Sequence, residues 1–192
     1  MATTGPGGLW ASPIHRLTAL ALVAGAAVVG CGSAPSTTTP APSVVAAEVD
    51  GPYRLELVLA KPQWASDEPL TGTATLSLHG AGGTTIYGSG SVLNFAYAEV
   101  DGTRKVDPVW TADCAVHELD AGAPISMAVT KSGAASADDP QTAWLHSFIM
   151  APDVRLPPGT WDVTALAIFM EVEGCDGPGH WMEATVRVTV TD

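Results

Sequence analysis

Apolar and polar residues alternate with a period of two along most of the chain after residue 51. The clearest run is the C-terminal one, in which every second side chain from Met182 to Val190 is apolar and its neighbours are polar or charged. An earlier run places Leu55, Leu57 and Leu59 on one side of an extended segment. Because successive side chains of a strand point to opposite faces, each run predicts a β-strand with one buried face.

Further strands are predicted between these two runs, because no stretch after residue 51 sustains the 3.6-residue period of a helix. Turn-forming Gly, Pro and Asp residues separate the candidates, which are 73–78, 84–88, 92–100, 105–111, 125–131, 143–150 and 161–173. In the segment 143–150 this pattern places His146 on a buried face, between Trp144 and Phe148. About eight or nine short strands of this kind favour an all-β, antiparallel β-sandwich, whose two sheets cover each other's apolar faces.

An apolar segment near the N-terminus, residues 17–30, follows Arg16 and stops at Cys31. Its fourteen residues are fewer than the roughly 20 that a membrane-spanning helix needs, and this length is typical of a cleaved signal peptide. Its end, Val28-Val29-Gly30-Cys31, resembles the lipobox of bacterial lipoproteins. That resemblance implies cleavage of residues 1–30, attachment of acyl chains to Cys31, and a lipid-anchored location on the extracytoplasmic face of the bacterial cell membrane or envelope.

The stretch after Cys31 is rich in Ser, Thr, Pro and Ala and carries no charge and no large apolar side chain up to residue 43. Such a composition buries too little surface to offset the entropy of ordering. Residues 31–51 are therefore predicted to be a linker, and residues 52–192 the folded domain.

Acidic residues dominate the charge of the chain. It has 8 basic and 20 acidic residues, and removal of the signal peptide takes away one basic residue, so the mature formal charge is 7 − 20 = −13. A surface of this sign repels nucleic acids and anionic lipid headgroups. We exclude both as partners, which leaves the lipid anchor as the only predicted contact with the membrane.

Two turn motifs in the predicted domain resemble those of bacterial immunoglobulin-like domains. The first is DEP at 67–69, between two predicted strands, where those domains often have GEP. The second is LPPGT at 156–160, which is similar to a late turn of the same domains, including proteinase-inhibitor-like modules. The resemblance implies an immunoglobulin-like sandwich, and it adds a proteinase-inhibitor-like module as an alternative function. It implies no particular activity, because such sandwiches host many functions.

Two cysteines remain once Cys31 is lipidated, namely Cys114 and Cys175. An even number of thiols in an oxidising compartment favours a disulfide, which would join the segment 111–118 to the loop 174–180. The alternative is a metal site, because His117 and His180 follow the cysteines closely and tetrahedral Zn²⁺ accepts two Cys and two His ligands. The sequence has no G-x-S-x-G, H-E-x-x-H or calcium-loop pattern, so we predict that the protein is not an enzyme and uses no cofactor.

Two tryptophans are expected to be partly exposed. Trp64 lies in a predicted turn beside Pro62, and Trp181 is out of phase with the buried positions of the last strand. Exposed indoles often recognise other molecules, so these two side chains form a candidate binding surface for an envelope protein or a glycan. The sequence thus predicts a membrane-tethered, extracytoplasmic binding or structural module, with a metal-binding lipoprotein and a proteinase-inhibitor-like module as the alternatives.

Overall fold

The structure is a computed structural model that describes residues 42–133 and 142–192. These residues form eleven β-strands and one α-helix. In chain order the elements are β1 (Val44–Asp50), β2 (Tyr53–Leu59), β3 (Gln63–Ala65), β4 (Gly72–Leu78), β5 (Gly83–Gly88), β6 (Leu93–Glu99), β7 (Lys105–Val106), β8 (Ala115–Asp120), β9 (Ile125–Ala128), α1 (Thr142–Met150), β10 (Gly159–Met170) and β11 (Gly179–Thr191). The predicted signal peptide, Cys31 and the linker up to residue 41 lie outside the described residues. No helix in the described part of the chain is long and apolar enough to cross a membrane.

The strands form two sheets. The first sheet has the order β1-β2-β4-β9, and every neighbouring pair in it is antiparallel. The second sheet has the order β3-β11-β10-β5-β8, with β6 also paired to β10 and β7 paired to β6. With its 12 residues, β10 is long enough to pair with β6 and then, at Met170, with β5. Among the described strands, β3 alone runs parallel to its neighbour, which is β11.

The hydrophobic core lies between the two sheets, as the alternating pattern predicts. Leu55, Leu57 and Leu59 of β2 are fully buried, and so are Trp161 and Phe169 of β10. Burial of a large apolar side chain stabilises a fold by about 1.5–3 kcal/mol relative to leaving it in water. The prediction of an all-β sandwich is therefore confirmed, with eleven strands in the described residues instead of eight or nine.

Several strand boundaries differ from the predicted ones. The segment 105–111 supplies only the two residues of β7, because the chain then leaves the sheet to cross its outer face. The segment 125–131 ends as a strand at Ala128. Three observed strands are absent from the predicted set. One is the edge strand β1; of the other two, β3 is only three residues long, and β8 buries a single side chain, Leu119.

The edge strand β1 lies inside the stretch 31–51 that composition predicts to be a linker. It pairs antiparallel with β2 along its whole length. Val44 and Ala46 pack against the core, whereas Val45 and Val49 are exposed. Backbone pairing and a few small, half-buried side chains are enough for an edge strand, so the sheet begins at Val44 and not after residue 51.

The segment 143–150 belongs to a helix, and its prediction as a strand is wrong. Helix α1 buries Leu145 and Phe148 and exposes His146, because side chains three or four positions apart share one face of a helix. Trp144 stacks on Phe148 with ring centroids 5.4 Å apart, and on Trp161 at 5.8 Å. The expectation that His146 is a core residue is therefore also wrong.

Lys131 holds the C-terminal end of α1. Its Nζ donates hydrogen bonds to the carbonyl oxygens of Phe148 and, at 2.7 Å, of Asp153. Burial lowers the pKa of Lys131 from its usual value. A cation at this position satisfies a free carbonyl and complements the helix dipole, so Lys131 fixes where the helix ends against the sandwich.

Substitutions in α1 distinguish the helix from the predicted strand. Phe148→Ala should lower the free energy of unfolding by about 3–5 kcal/mol, because loss of a buried ring leaves a cavity. His146→Ala should change it by less than about 0.5 kcal/mol, because this side chain is in water. Chemical denaturation of the full-length variants measures both values. Large and equal losses would contradict the helix, since they would place both side chains on one buried face.

Candidate functional site

The outer face of the second sheet carries an apolar stripe in β10. Leu166 alternates with the core residues of β10 and lies outside the core cluster, yet it is only 5% exposed. The segment 107–114, which follows β7, crosses this face. Its Trp110 lines one cavity together with Leu166 and a second one together with Ile168. The outer face is thus partly covered, and Trp110 contributes to the lining of both cavities.

Polar contacts fix this crossing segment on the sheet. Asn94 of β6 is the one buried polar residue in the described part of the chain. Its Nδ2 donates to the carbonyl oxygen of Val109 at 3.2 Å, and its Oδ1 accepts from Ser132 Oγ at 2.7 Å. Thr111 Oγ1 lies 2.7 Å from Ser89 Oγ. These hydrogen bonds satisfy a buried amide and hold the segment on both sides of Trp110.

A disulfide between Cys114 and Cys175 fixes the end of the same segment, as the sequence predicts. The two Cα atoms are 5.9 Å apart and are separated by 61 positions in the chain. Cys175 lies between β10 and β11, so the bond ties the crossing segment to that loop. In the chain-entropy description, closing a loop of this length stabilises the fold by about 4 kcal/mol.

The disulfide excludes the Cys₂His₂ alternative, because both sulfur atoms are bonded to each other. The histidines of that alternative are also engaged elsewhere: His117 Nε2 lies 2.9 Å from the carbonyl oxygen of Ser89, and His180 Nδ1 lies 2.6 Å from Asp50 Oδ2. In the described residues, no group of three or more His, Cys, Asp or Glu side chains could hold a metal ion.

His180 instead connects the edge strand β1 to β10 and β11. Its Nδ1 contacts Asp50 of β1, and its Nε2 lies 3.6 Å from Glu171 Oε1. The same oxygen accepts a hydrogen bond from Tyr53 at 2.5 Å. Burial, followed by the hydrogen bond and charge of Glu171, raises the pKa of Tyr53 from 10.0 to about 12. The ring of His180 also stacks on Phe169, with centroids 4.8 Å apart. These contacts give His180 a structural role, because they join β1 to β10 and β11.

Trp64 is buried, so its predicted exposure is wrong. The side chain is 4% exposed, and its Nε1 donates to the carbonyl oxygen of Lys61 at 3.0 Å. The Lys61 ammonium lies 4.8 Å from the ring centroid. Because β3 pairs with the distant strand β11, Trp64 packs into the core, and no local pattern reveals such a pairing.

Trp181 is 61% exposed, as its phase in β11 predicts. Its Nε1 donates to Glu183 Oε1 at 2.7 Å, and the backbone N–H of Glu183 donates to Glu48 Oε2 of β1. Trp181 and Trp110 line a cleft of about 400 Å³. Its remaining lining residues are Ala96, Asp107, Pro108, Thr164, Leu166 and Glu183. This Trp110–Trp181 cleft is the candidate binding site.

The sequence predicts only the wall of this cleft that Trp181 forms. Trp110 falls in the predicted strand 105–111, and nothing local indicates that its segment crosses the sheet. One signal for the covered outer face is nevertheless present. Residues 165–170 form an uninterrupted apolar run, and such a run is typical of a strand that is covered on both faces.

No protein-family model, curated protein or solved structure matches the chain.

Removal of the disulfide tests how the crossing segment is held. Cys114→Ser and Cys175→Ser should each lower the free energy of unfolding of the full-length protein by about 2–5 kcal/mol. The double variant should be no less stable than either single variant, since all three lack the same bond. Chemical denaturation measures these values, and thiol titration of the unfolded, unreduced wild type should detect neither Cys114 nor Cys175. Additive losses, or two titrating thiols, would contradict the bond.

Proposed function

We propose that the protein is a membrane-tethered, non-catalytic binding module of the bacterial envelope, which presents the Trp110–Trp181 cleft to an extracytoplasmic partner. The observation that carries this proposal is the 61% exposure of Trp181 beside a second indole and a buried leucine. Leaving a large aromatic side chain in water opposes the hydrophobic effect. Aromatic side chains are also enriched at the centres of recognition sites.

The scaffold supports a binding role because the cleft is built on paired strands. Trp181 and Glu183 belong to β11, which is paired with β10 along Gly159–Met170, and the crossing segment is tied down by a disulfide. Sites on strands are held more accurately than sites on free loops. A preformed cleft loses little conformational entropy when a partner binds.

The proposed tether is Cys31 in the lipobox-like sequence at 28–31. Twelve residues, 32–43, separate Cys31 from the first strand. Fully extended, a chain of this length reaches about 40 Å, so the sandwich would stay within that distance of the lipid headgroups. Two or three acyl chains on one cysteine would anchor it firmly, because each buried CH₂ contributes about 0.8 kcal/mol.

Substitution of Cys31 tests the tether. Cys31→Ser should abolish lipidation and leave the protein as uncleaved precursor or released from the membrane, because serine offers no thiol for acylation. Mass spectrometry of the N-terminal peptide and membrane fractionation measure the two effects. Chemical denaturation should show a sandwich of unchanged stability, which serves as the control. Processed Cys31→Ser protein that stays in the membrane would refute the lipid anchor.

Site-specific cross-linking tests the binding role of the cleft. A photoreactive benzoylphenylalanine at position 181, which retains an aromatic ring, should give a defined covalent adduct in intact cells. The same amino acid at position 116 is a matched control, because Val116 and Trp181 are both 61% exposed and only Trp181 lines the cleft. Identical adduct patterns at the two positions, or no adduct at position 181, would contradict the proposal.

A further inference from the structure

We propose that the Trp110–Trp181 cleft binds the side chain of an arginine in a basic polypeptide partner. This inference rests on the proposed binding function and assigns the chemistry of its ligand. Three properties of the cleft carry it: its aromatic walls, the partly uncompensated negative charge at its rim, and its size.

The walls of the cleft suit a planar cation. Trp181 is exposed and Trp110 is half-buried, and both line the same space. A guanidinium group over the face of an indole is attracted by the ring quadrupole, and arginine also stacks on aromatic faces in a way that lysine does not. The Nε1–H of Trp181 is bonded to the carboxylate of Glu183, so the position of the indole is fixed and an anion lies beside it.

The charge at the rim is negative and partly uncompensated. Glu183 uses Oε1 for Trp181, and Glu48 reaches the backbone of Glu183. In the described part of the chain, neither glutamate forms an ion pair with Lys or Arg. The neighbouring charges differ in this respect, because Asp107 is paired with Lys105 and Asp162 with Arg187.

Charge complementarity therefore favours a cationic occupant. The Glu183 carboxylate that fixes Trp181 can also accept hydrogen bonds from a guanidinium, which presents several donors in one plane. The formal charge of −12 for the whole chain adds long-range attraction for a basic partner.

The size of the cleft suits one side chain. Its volume of about 400 Å³ is near the lower end of ligand sites, which range from about 300 to 1,000 Å³. Its floor is Leu166, which is 5% exposed and lies against the apolar stem of a bound arginine. Another cavity of about 400 Å³ is lined by both Lys131 and Asp153, so a cation of the protein itself already lies beside its carboxylate.

A fluorine NMR titration of the full-length protein in detergent tests the inference. The protein is labelled with 5-fluorotryptophan, and the resonances of the two cleft residues are assigned with Trp181→Phe and Trp110→Phe. The probes are the blocked tripeptide Gly-Arg-Gly and its isosteric, neutral citrulline counterpart. The arginine peptide should shift both resonances with a dissociation constant on the order of 1 mM. Binding should weaken as ionic strength rises.

Two variants and a control measure how much Trp181 and Glu183 contribute to binding of the arginine peptide. Trp181→Ala, followed through the resonance of Trp110, should weaken binding of the arginine peptide by about five- to thirty-fold. Glu183→Gln should weaken it several-fold, because it removes the charge and retains an acceptor for the indole. The control Glu118→Gln removes an exposed carboxylate of β8, outside the cleft, and should leave the affinity unchanged.

The outcomes separate this inference from the proposed function. Equal shifts with the citrulline peptide would overturn the arginine assignment and leave the binding role intact. Tighter binding of tetramethylammonium than of the arginine peptide would also overturn it, in favour of a small quaternary ammonium ligand. No shift with the arginine peptide would overturn it as well. If cross-linking at position 181 also gives no specific adduct, the binding role itself fails.

Discussion

The crossing segment 107–114 is the constraint on which the outer face of the second sheet depends. Asn94 holds one side of it by a hydrogen bond to Val109, and the disulfide between Cys114 and Cys175 holds its end. Without this cover, Leu166 would face water, although it is now only 5% exposed. The position of Trp110, and with it one wall of the cleft, follows from the same contacts. A bond that looks purely structural in the sequence therefore also shapes the candidate site.

The edge strand β1 relates the proposed tether to this site. It follows directly on the proposed linker, and its carboxylates reach β11 at two places, through Glu48 to Glu183 and through Asp50 to His180. Glu183 is also the partner of Trp181. The strand nearest to the proposed lipid anchor is thus in contact with the residue that fixes the exposed indole. Since β1 lies at the edge of its sheet, these polar contacts add to its backbone pairing with β2.

The parts of this structure that the sequence predicts are those that local patterning determines. Alternation predicts β2, β4 and β11, because the two faces of these strands meet different surroundings, and the phase of β11 correctly exposes Trp181. The failures have two causes. The segment 143–150 is too short to sustain a period, so its apolar residues do not distinguish a helix from a strand. Trp64 is buried by long-range pairing, since β3 pairs with a strand more than a hundred residues away. The cleft is unpredictable for the same reason, since it forms only when the crossing segment reaches β10.

In the proposed function, the lipid anchor compensates for the small size of the binding site, which accepts only one side chain. One cation–π contact gives weak binding in free solution, even when a carboxylate lies nearby. The free energy that these contacts contribute is small compared with the entropic cost of association. Confinement of both partners to one membrane surface raises their effective concentration, as linkage does in multivalent binding. In this proposal, a twelve-residue tether would hold the start of the sandwich within about 40 Å of that surface. The net negative charge of the chain would repel anionic headgroups, and in the proposed function this repulsion would favour an orientation in which a basic partner reaches the cleft.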